Sequence, residues 1–216
     1  MVRVALGVDA GTQSLKVLVV AIDPSSSSSP PPPSADGVVL ARASASLSLL
    51  PGGPPGRAEQ HPAAWVDALA RALADAFSQV APGVDANVVA VGVSGQQHGL
   101  VALDSAGNVI RPAKLWCDVE SAPEASEIST LLGYTLPAGF TCTKFLWLAR
   151  NEPESFDKLH TPVLPHDYLN FVLSGVYAME FGDASGVGTS RCGETWRARA
   201  VSWHVCNALW VQRDAA

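Results

Sequence analysis

The chain has 216 residues, 48% of them hydrophobic and 16% charged, with 14 Lys and Arg against 20 Asp and Glu for a net charge of −6. That is enough apolar material for one large domain or two small ones, and it excludes a chain disordered throughout. The acidic balance and the lack of any basic stripe argue against nucleic acid as a partner, and no apolar run reaches membrane-spanning length.

Residues 3–22 read as two short strands, because Val4, Leu6 and Val8, then Leu15, Val17, Val19 and Ala21, alternate with smaller or polar neighbours. Between them lies a polar knot, Asp9-Ala10-Gly11-Thr12-Gln13-Ser14. Gly11 suits a tight turn that a side chain would strain. A turn at a sheet end with one carboxylate, two hydroxyls, an amide and free N–H groups suits a magnesium-bound phosphate. Taken alone, it is equally a hairpin with a polar tip.

Residues 25–37 are a serine run followed by four prolines, a composition that packs no core and reads as a flexible, solvated loop. Alternation resumes over 38–50 (Val39, Ala41, Ala43, Ala45, Leu47), predicting a third strand and an opening three-stranded antiparallel meander. Pro62 then begins a helix in which Trp65, Leu69, Leu73 and Phe77 recur at helical spacing. The continuous apolar run at 87–93 predicts a strand buried on both faces. It leads into Ser94-Gly95-Gln96-Gln97-His98-Gly99, and a short strand follows at 100–103 with a turn at 104–108.

Beyond Trp116, a polar segment at 120–127 opens a helix, residues 144–148 form the core face of another that closes before Pro153, and 167–173 form a short helix ending at Gly175. Residues 182–186 read as a second polar turn. Strands and helices in this order predict an α/β domain with a mixed sheet. Cys117, Cys142, Cys192 and Cys206 are scattered with no CxxC pair, which implies neither a metal site nor a disulfide framework. Free thiols and the absence of a leader sequence predict a soluble, cytoplasmic chain.

Four stretches occur in a telling order: VDAGTQSLK at 8–16, SGQQHG at 94–99, LWCD at 115–118, and PHDYLNFVLSG with FGDASG over 165–186. Together they resemble the N-terminal domain of the FGGY carbohydrate kinases, and most closely the xylulokinases, over about residues 3–189, which implies such a domain at 1–190. The resemblance implies an RNase-H-like fold of the actin, hexokinase and Hsp70 ATPase type, with ATP and Mg²⁺ as cofactors and a ketose, most closely D-xylulose, as substrate. It implies that Asp9 holds Mg²⁺ through water and that Gly11, Thr12, Gln13 and Ser14 lie near the transferred phosphate. Gln97 and His98 would line the ketose pocket, with Trp116 and Asp118 close by. Neutral His and amide groups pair well with sugar hydroxyls, and an indole face can cover the apolar side of a sugar.

Two features depart from that family. No Gly-Gly-Asp-Asn type motif, which carries the family's catalytic base in a second domain, occurs in these residues, so the resemblance implies a truncated chain with little activity of its own. Residues 191–216 form a divergent tail whose Trp196, Trp203 and Trp210 would share one helix face. The readings left open are a truncated kinase, a non-enzymatic module that holds a ketose or pairs with a full-length kinase, and a non-functional, unstable product of a disrupted gene that exposes an apolar surface.

Overall fold

A computed structural model describes residues 2–22 and 37–187. The expected Ser/Pro loop up to residue 36 and the tail at 191–216 lie outside the described residues. In chain order the elements are β1 (Arg3–Ala10), β2 (Ser14–Ile22), β3 (Val39–Ser46), β4 (Glu59–Gln60), α1 (Pro62–Ser78), β5 (Val88–Gly95), β6 (Val101–Leu103), β7 (Ala113–Lys114), α2 (Ala122–Leu132), α3 (Thr141–Asn151), α4 (Pro153–Lys158), β8 (Thr161–Val163), α5 (Pro165–Ser174) and α6 (Phe181–Gly186). The described residues divide into two compact units, one drawn from Met1–Ser48 and Ala63–Gly95, the other from Leu49–Pro62 and the residues after Gly95.

The first unit is built on a four-stranded sheet in the order β3-β2-β1-β5. The opening meander is antiparallel as expected, and β5 adds parallel to β1, so the sheet is mixed. Period-two alternation puts Val4, Leu6, Val8 and Ala10 of β1, Leu15, Val17, Val19 and Ala21 of β2, and Ala41, Ala43 and Ala45 of β3 in the core. Helix α1 buries Trp65, Ala68, Leu69, Ala72 and Ala76, whereas Leu73 and Phe77 of the expected stripe are only half-buried. Its buried face is thus turned toward alanines, which suit a close helix–sheet approach. The Gln79 side chain, just beyond α1, donates to the Arg42 carbonyl at 3.0 Å and accepts from the Arg42 N–H at 3.4 Å, fastening the helix end to β3.

The run at 87–93 does not form a strand buried on both faces. Val89 and Val91 of β5 are 52% and 46% exposed. The cause is position: β5 pairs only with β1, no strand among the described residues takes its other edge, and α1 is tied to β3 at the opposite side of the sheet.

In the second unit β4 pairs with β7 and β6 with β8, both antiparallel. Leu100, Ala102, Phe145, Trp147, Leu148, Leu164 and Val187 form its apolar core. Every residue of α3 from Thr141 to Leu148 is buried, so this helix is enclosed rather than laid on a surface. The turn at 104–108 is present, held by Asp104 Oδ1, which accepts the N–H groups of Ala106 and Asn108 at 2.8 Å each. Helix α5 ends at Gly175 with φ +72°, as its sequence predicts. Residues 182–186 are a correction: they belong to α6, not to a turn. The Glu180 carboxylate accepts the N–H groups of Gly182 (2.7 Å) and Asp183 (3.2 Å), satisfying donors that an uncapped first helical turn leaves open. No helix among the described residues is long and apolar enough to cross a membrane.

Candidate functional site

Residues expected to act fall in both units. In the first, Asp9 stands near the end of β1, opposite Lys16 of β2 on one side and Ser94 of β5 on the other. Ser94 Oγ donates to Asp9 Oδ1 at 3.4 Å, and Lys16 Nζ lies 3.5 Å from Oδ2. The Asp9 side chain is still 49% exposed, so its oxygens remain open to water. Gly11, Thr12, Gln13 and Ser14 form the adjoining turn. Its shape is fixed by the Gly11 N–H donating to the Ser14 carbonyl (3.1 Å) and the Leu47 N–H donating to the Gln13 carbonyl (2.8 Å). Gly11 is favoured here for a reason other than the expected backbone freedom: its φ is ordinary, but a Cβ would crowd the Ser14 carbonyl oxygen at 3.2 Å. Ser94 was not singled out by sequence reasoning, although it heads the SGQQHG stretch.

One exposed carboxylate beside hydroxyls suits a cation held through water. Direct coordination of Mg²⁺ in an all-protein cage would call for more oxygen ligands than this end of the sheet presents.

In the second unit, Gln96 is buried and donates to Gln60 Oε1 at 3.2 Å. Gln97 is exposed. His98 adopts φ +57°, the one non-glycine residue in the left-handed region among those described. Such a backbone costs roughly 1–2 kcal/mol and persists where the surroundings impose it. The imposition is visible. The imidazole stacks on Phe140 with centroids 4.3 Å apart and planes 17° apart. Gly99 follows so close to Pro165 that a Cβ would lie 2.7 Å from its Cγ. His98 Nδ1 is buried without a hydrogen-bond partner among the described residues. Burial, and then the Lys144 charge, holds the imidazole below its ordinary pKa of 6.5, with Asp183 opposing, so the ring is neutral at physiological pH.

Trp116 is 51% exposed, and its carbonyl oxygen abuts Gly139, where a Cβ would approach to 2.5 Å. The loop at 138–140 therefore touches both the indole segment and, through Phe140, His98. Asp118 is fully buried. Its Oδ2 accepts the Ala58 N–H at 2.9 Å and its Oδ1 the Glu120 N–H at 3.2 Å, while Lys114 Nζ lies 3.2 Å away. The structure thus brings His98 and Trp116 to the same loop and buries Asp118 in a frame with Lys114.

That frame is ionic. Lys114 Nζ sits among Glu59, Asp118 and Glu120, and 3.7 Å over the Trp147 ring. Arg111 pairs with Glu59 and Glu152, and Arg57 with Glu120. The three converging carboxylates are not a cation site, because the Lys114 ammonium already fills the space between them. A second cluster joins α5 to α6: His166 Nε2 lies 2.9 Å from Asp183 Oδ2 and 3.5 Å from Asp167 Oδ1. Burial pushes the Asp167 carboxyl up to about 6, and the Asp183 charge adds to that shift against the opposing His166. This pair links two stretches, PHDYL and GDASG, that the sequence shows only as separate motifs. Phe140 and Lys144 are further residues at this site that the sequence motifs do not mark; Lys144 reads in sequence as part of a core helix face.

Residues 4–191 match the FGGY family of carbohydrate kinases, N-terminal domain. The chain belongs to that family. It is 37% identical over 196 residues to a xylulose kinase of Haemophilus influenzae (strain ATCC 51907 / DSM 11121 / KW20 / Rd), an alignment covering 85% of this chain and 37% of that protein. It is 40% identical over 193 residues to a xylulose kinase of Streptomyces rubiginosus, covering 85% and 36%. Its fold is similar to that of the xylulose kinase from Rhodospirillum rubrum, with a TM-score of 0.72 at 25% identity, covering 87% of this chain and 37% of that one. The chain spans a little over a third of the length of these relatives, 37% of the Haemophilus protein and 36% of the Streptomyces one. The mixed sheet and the RNase-H-like, actin/hexokinase-type fold expected from the sequence are those of the family.

Proposed function

We propose that this chain holds D-xylulose in the pocket around His98 and presents its 5-hydroxyl for phosphorylation by ATP. The observation that carries the reading is His98: a strained backbone and a neutral, half-buried ring stacked on Phe140 hold one imidazole in a fixed place beside the exposed Gln97. The relatives' activity as xylulose kinases supports the choice of sugar. Gln97 and His98 would pair with sugar hydroxyls, and the exposed Trp116 indole would cover the sugar's apolar face. Asp118 would serve the pocket by fixing the turn that carries Trp116. Asp9 would hold Mg²⁺ through water, with Gly11, Thr12, Gln13 and Ser14 as donors to phosphate oxygens. Magnesium-bound ATP supplies the phosphoryl group and the charge neutralisation for its transfer.

No Gly-Gly-Asp-Asn type base stands among these 216 residues, so the 216-residue chain by itself is expected to bind the sugar without turning it over. Calorimetric titration with D-xylulose tests this. Binding by the wild type and about tenfold weaker binding by His98→Ala is the expected result, the size of one lost hydrogen bond of about 1.4 kcal/mol. A wild type that gives no heat with xylulose overturns the ketose reading, and turnover with ATP and Mg²⁺ overturns the expected inactivity. The open edge of β5 favours a second reading, in which the chain pairs with a full-length kinase; co-sedimentation with such an enzyme checks it.

A further inference from the structure

Lys144 is fully buried on α3. Its ammonium has no carboxylate within ion-pair distance among the described residues. It folds back instead onto the loop before its own helix, donating to the carbonyl oxygens of Ala138 (3.4 Å), Gly139 and Phe140 (3.3 Å). The Thr143 hydroxyl lies 2.9 Å and 2.8 Å from the Ala138 and Phe140 carbonyls, and Ser121 Oγ lies 3.1 Å from that of Ala138. A buried cation normally pairs with a carboxylate, because carbonyl dipoles alone recover less of its lost hydration. The loop it grips bears Phe140, which stacks on His98, and Gly139, which abuts the Trp116 carbonyl.

We propose that Lys144 is a positioning residue of the sugar pocket: it clamps three successive carbonyls at 138–140 and so sets the wall against which His98 and Trp116 are held. The inference rests on the ketose reading of that pocket for its effect on sugar, but not for its effect on His98. The clamp has a second consequence. The same charge acts on His98 and helps keep its imidazole neutral, able to accept as well as donate.

Desolvation brings the Lys144 pKa down to about 8, against the pull of the nearby Asp118 carboxylate and the Cys142 and Cys117 thiols, with Lys114 adding to the depression. The protonated clamp should therefore loosen above pH 8, when the amine keeps only two donors for three carbonyls.

The test uses the 216-residue chain and two variants, Lys144→Met and Lys144→Arg, with thermal unfolding to establish that each folds. His98 is titrated by NMR of its ring, and D-xylulose affinity is measured by calorimetry from pH 7 to 9. In Lys144→Met, His98 should titrate closer to 6.5 than in the wild type, its ring shifts should move as the Phe140 stack loosens, and xylulose should bind at least tenfold more weakly. In Lys144→Arg the charge remains but the three-point clamp does not fit a planar fork, so affinity should fall while the His98 titration stays low. Wild-type affinity should decline above pH 8, a limb both variants lack. Three outcomes overturn the proposal: an unchanged His98 titration and ring shifts in Lys144→Met, unchanged sugar affinity in a variant of a sugar-binding wild type, or failure of both variants to fold. If His98 responds as expected but the wild type binds no xylulose, the ketose reading fails and the clamp stands.

Discussion

His98 is the residue at which local rules are broken. Its positive φ disfavours a side chain, and glycine would relieve that strain at an entropic cost of about 0.5–1 kcal/mol. His98→Gly should therefore leave stability within about 1 kcal/mol of the wild type while weakening xylulose binding tenfold or more, as chemical denaturation and calorimetry would show together. A matching loss of stability would mean that the ring is a packing group. Part of the candidate site was legible in sequence, because SGQQHG and LWCD are short polar interruptions in apolar surroundings. Lys144 was not. In sequence it opens a run of core residues, and only the backtracking of its side chain onto residues 138–140 separates a clamp from an exposed helix position. Asp118 shows the converse: its motif was visible, but its burial depends on the Ala58 N–H, far away in sequence, as well as on Lys114 in the same stretch, and no local pattern reveals the first.

At the scale of elements, the short strands β4 and β7 are held by charge as much as by backbone pairing. Lys114→Met should cost about 3–5 kcal/mol, because it leaves Glu59, Asp118 and Glu120 facing one another without their shared cation. Urea unfolding at constant pH measures it; a loss below 1 kcal/mol would show that water replaces the lysine. Helix α5 has its own titration. The Asp167 pKa of about 6 exceeds the unfolded value of 3.8, so the native state holds that proton more tightly. This contribution to stability is fully present below pH 3.8 and is lost as pH rises through 6. Asp167→Asn, which keeps an acceptor for the Leu164 N–H, should remove the slope between pH 4 and 6, and urea midpoints across that window would show it. Helix and strand placement was well read from periodicity, since α1, α5 and the opening meander follow single strong patterns. The apolar run of β5 misled because a strand's sequence records which neighbours it suits, not whether they are there.

For the whole molecule, that strand dominates behaviour in solution. The eight residues of β5 carry no charge and no proline, and Val89 and Val91 are exposed on a sheet edge. The chain should associate as its concentration rises, and Val91→Lys should suppress the association while changing stability by no more than about 0.5 kcal/mol. Light scattering across a dilution series decides it, and equal scattering by both proteins would place the contact elsewhere.

The glycines at 99 and 139 set a boundary on how the proposed sugar site can change. With Pro165 and the Trp116 carbonyl pressed against them, neither position admits even a methyl group. Gln97 and Trp116, by contrast, point outward with room around them. Laboratory evolution toward other sugars should therefore draw its successful substitutions from those two positions, with the rest of the rim staying invariant through successive rounds of selection.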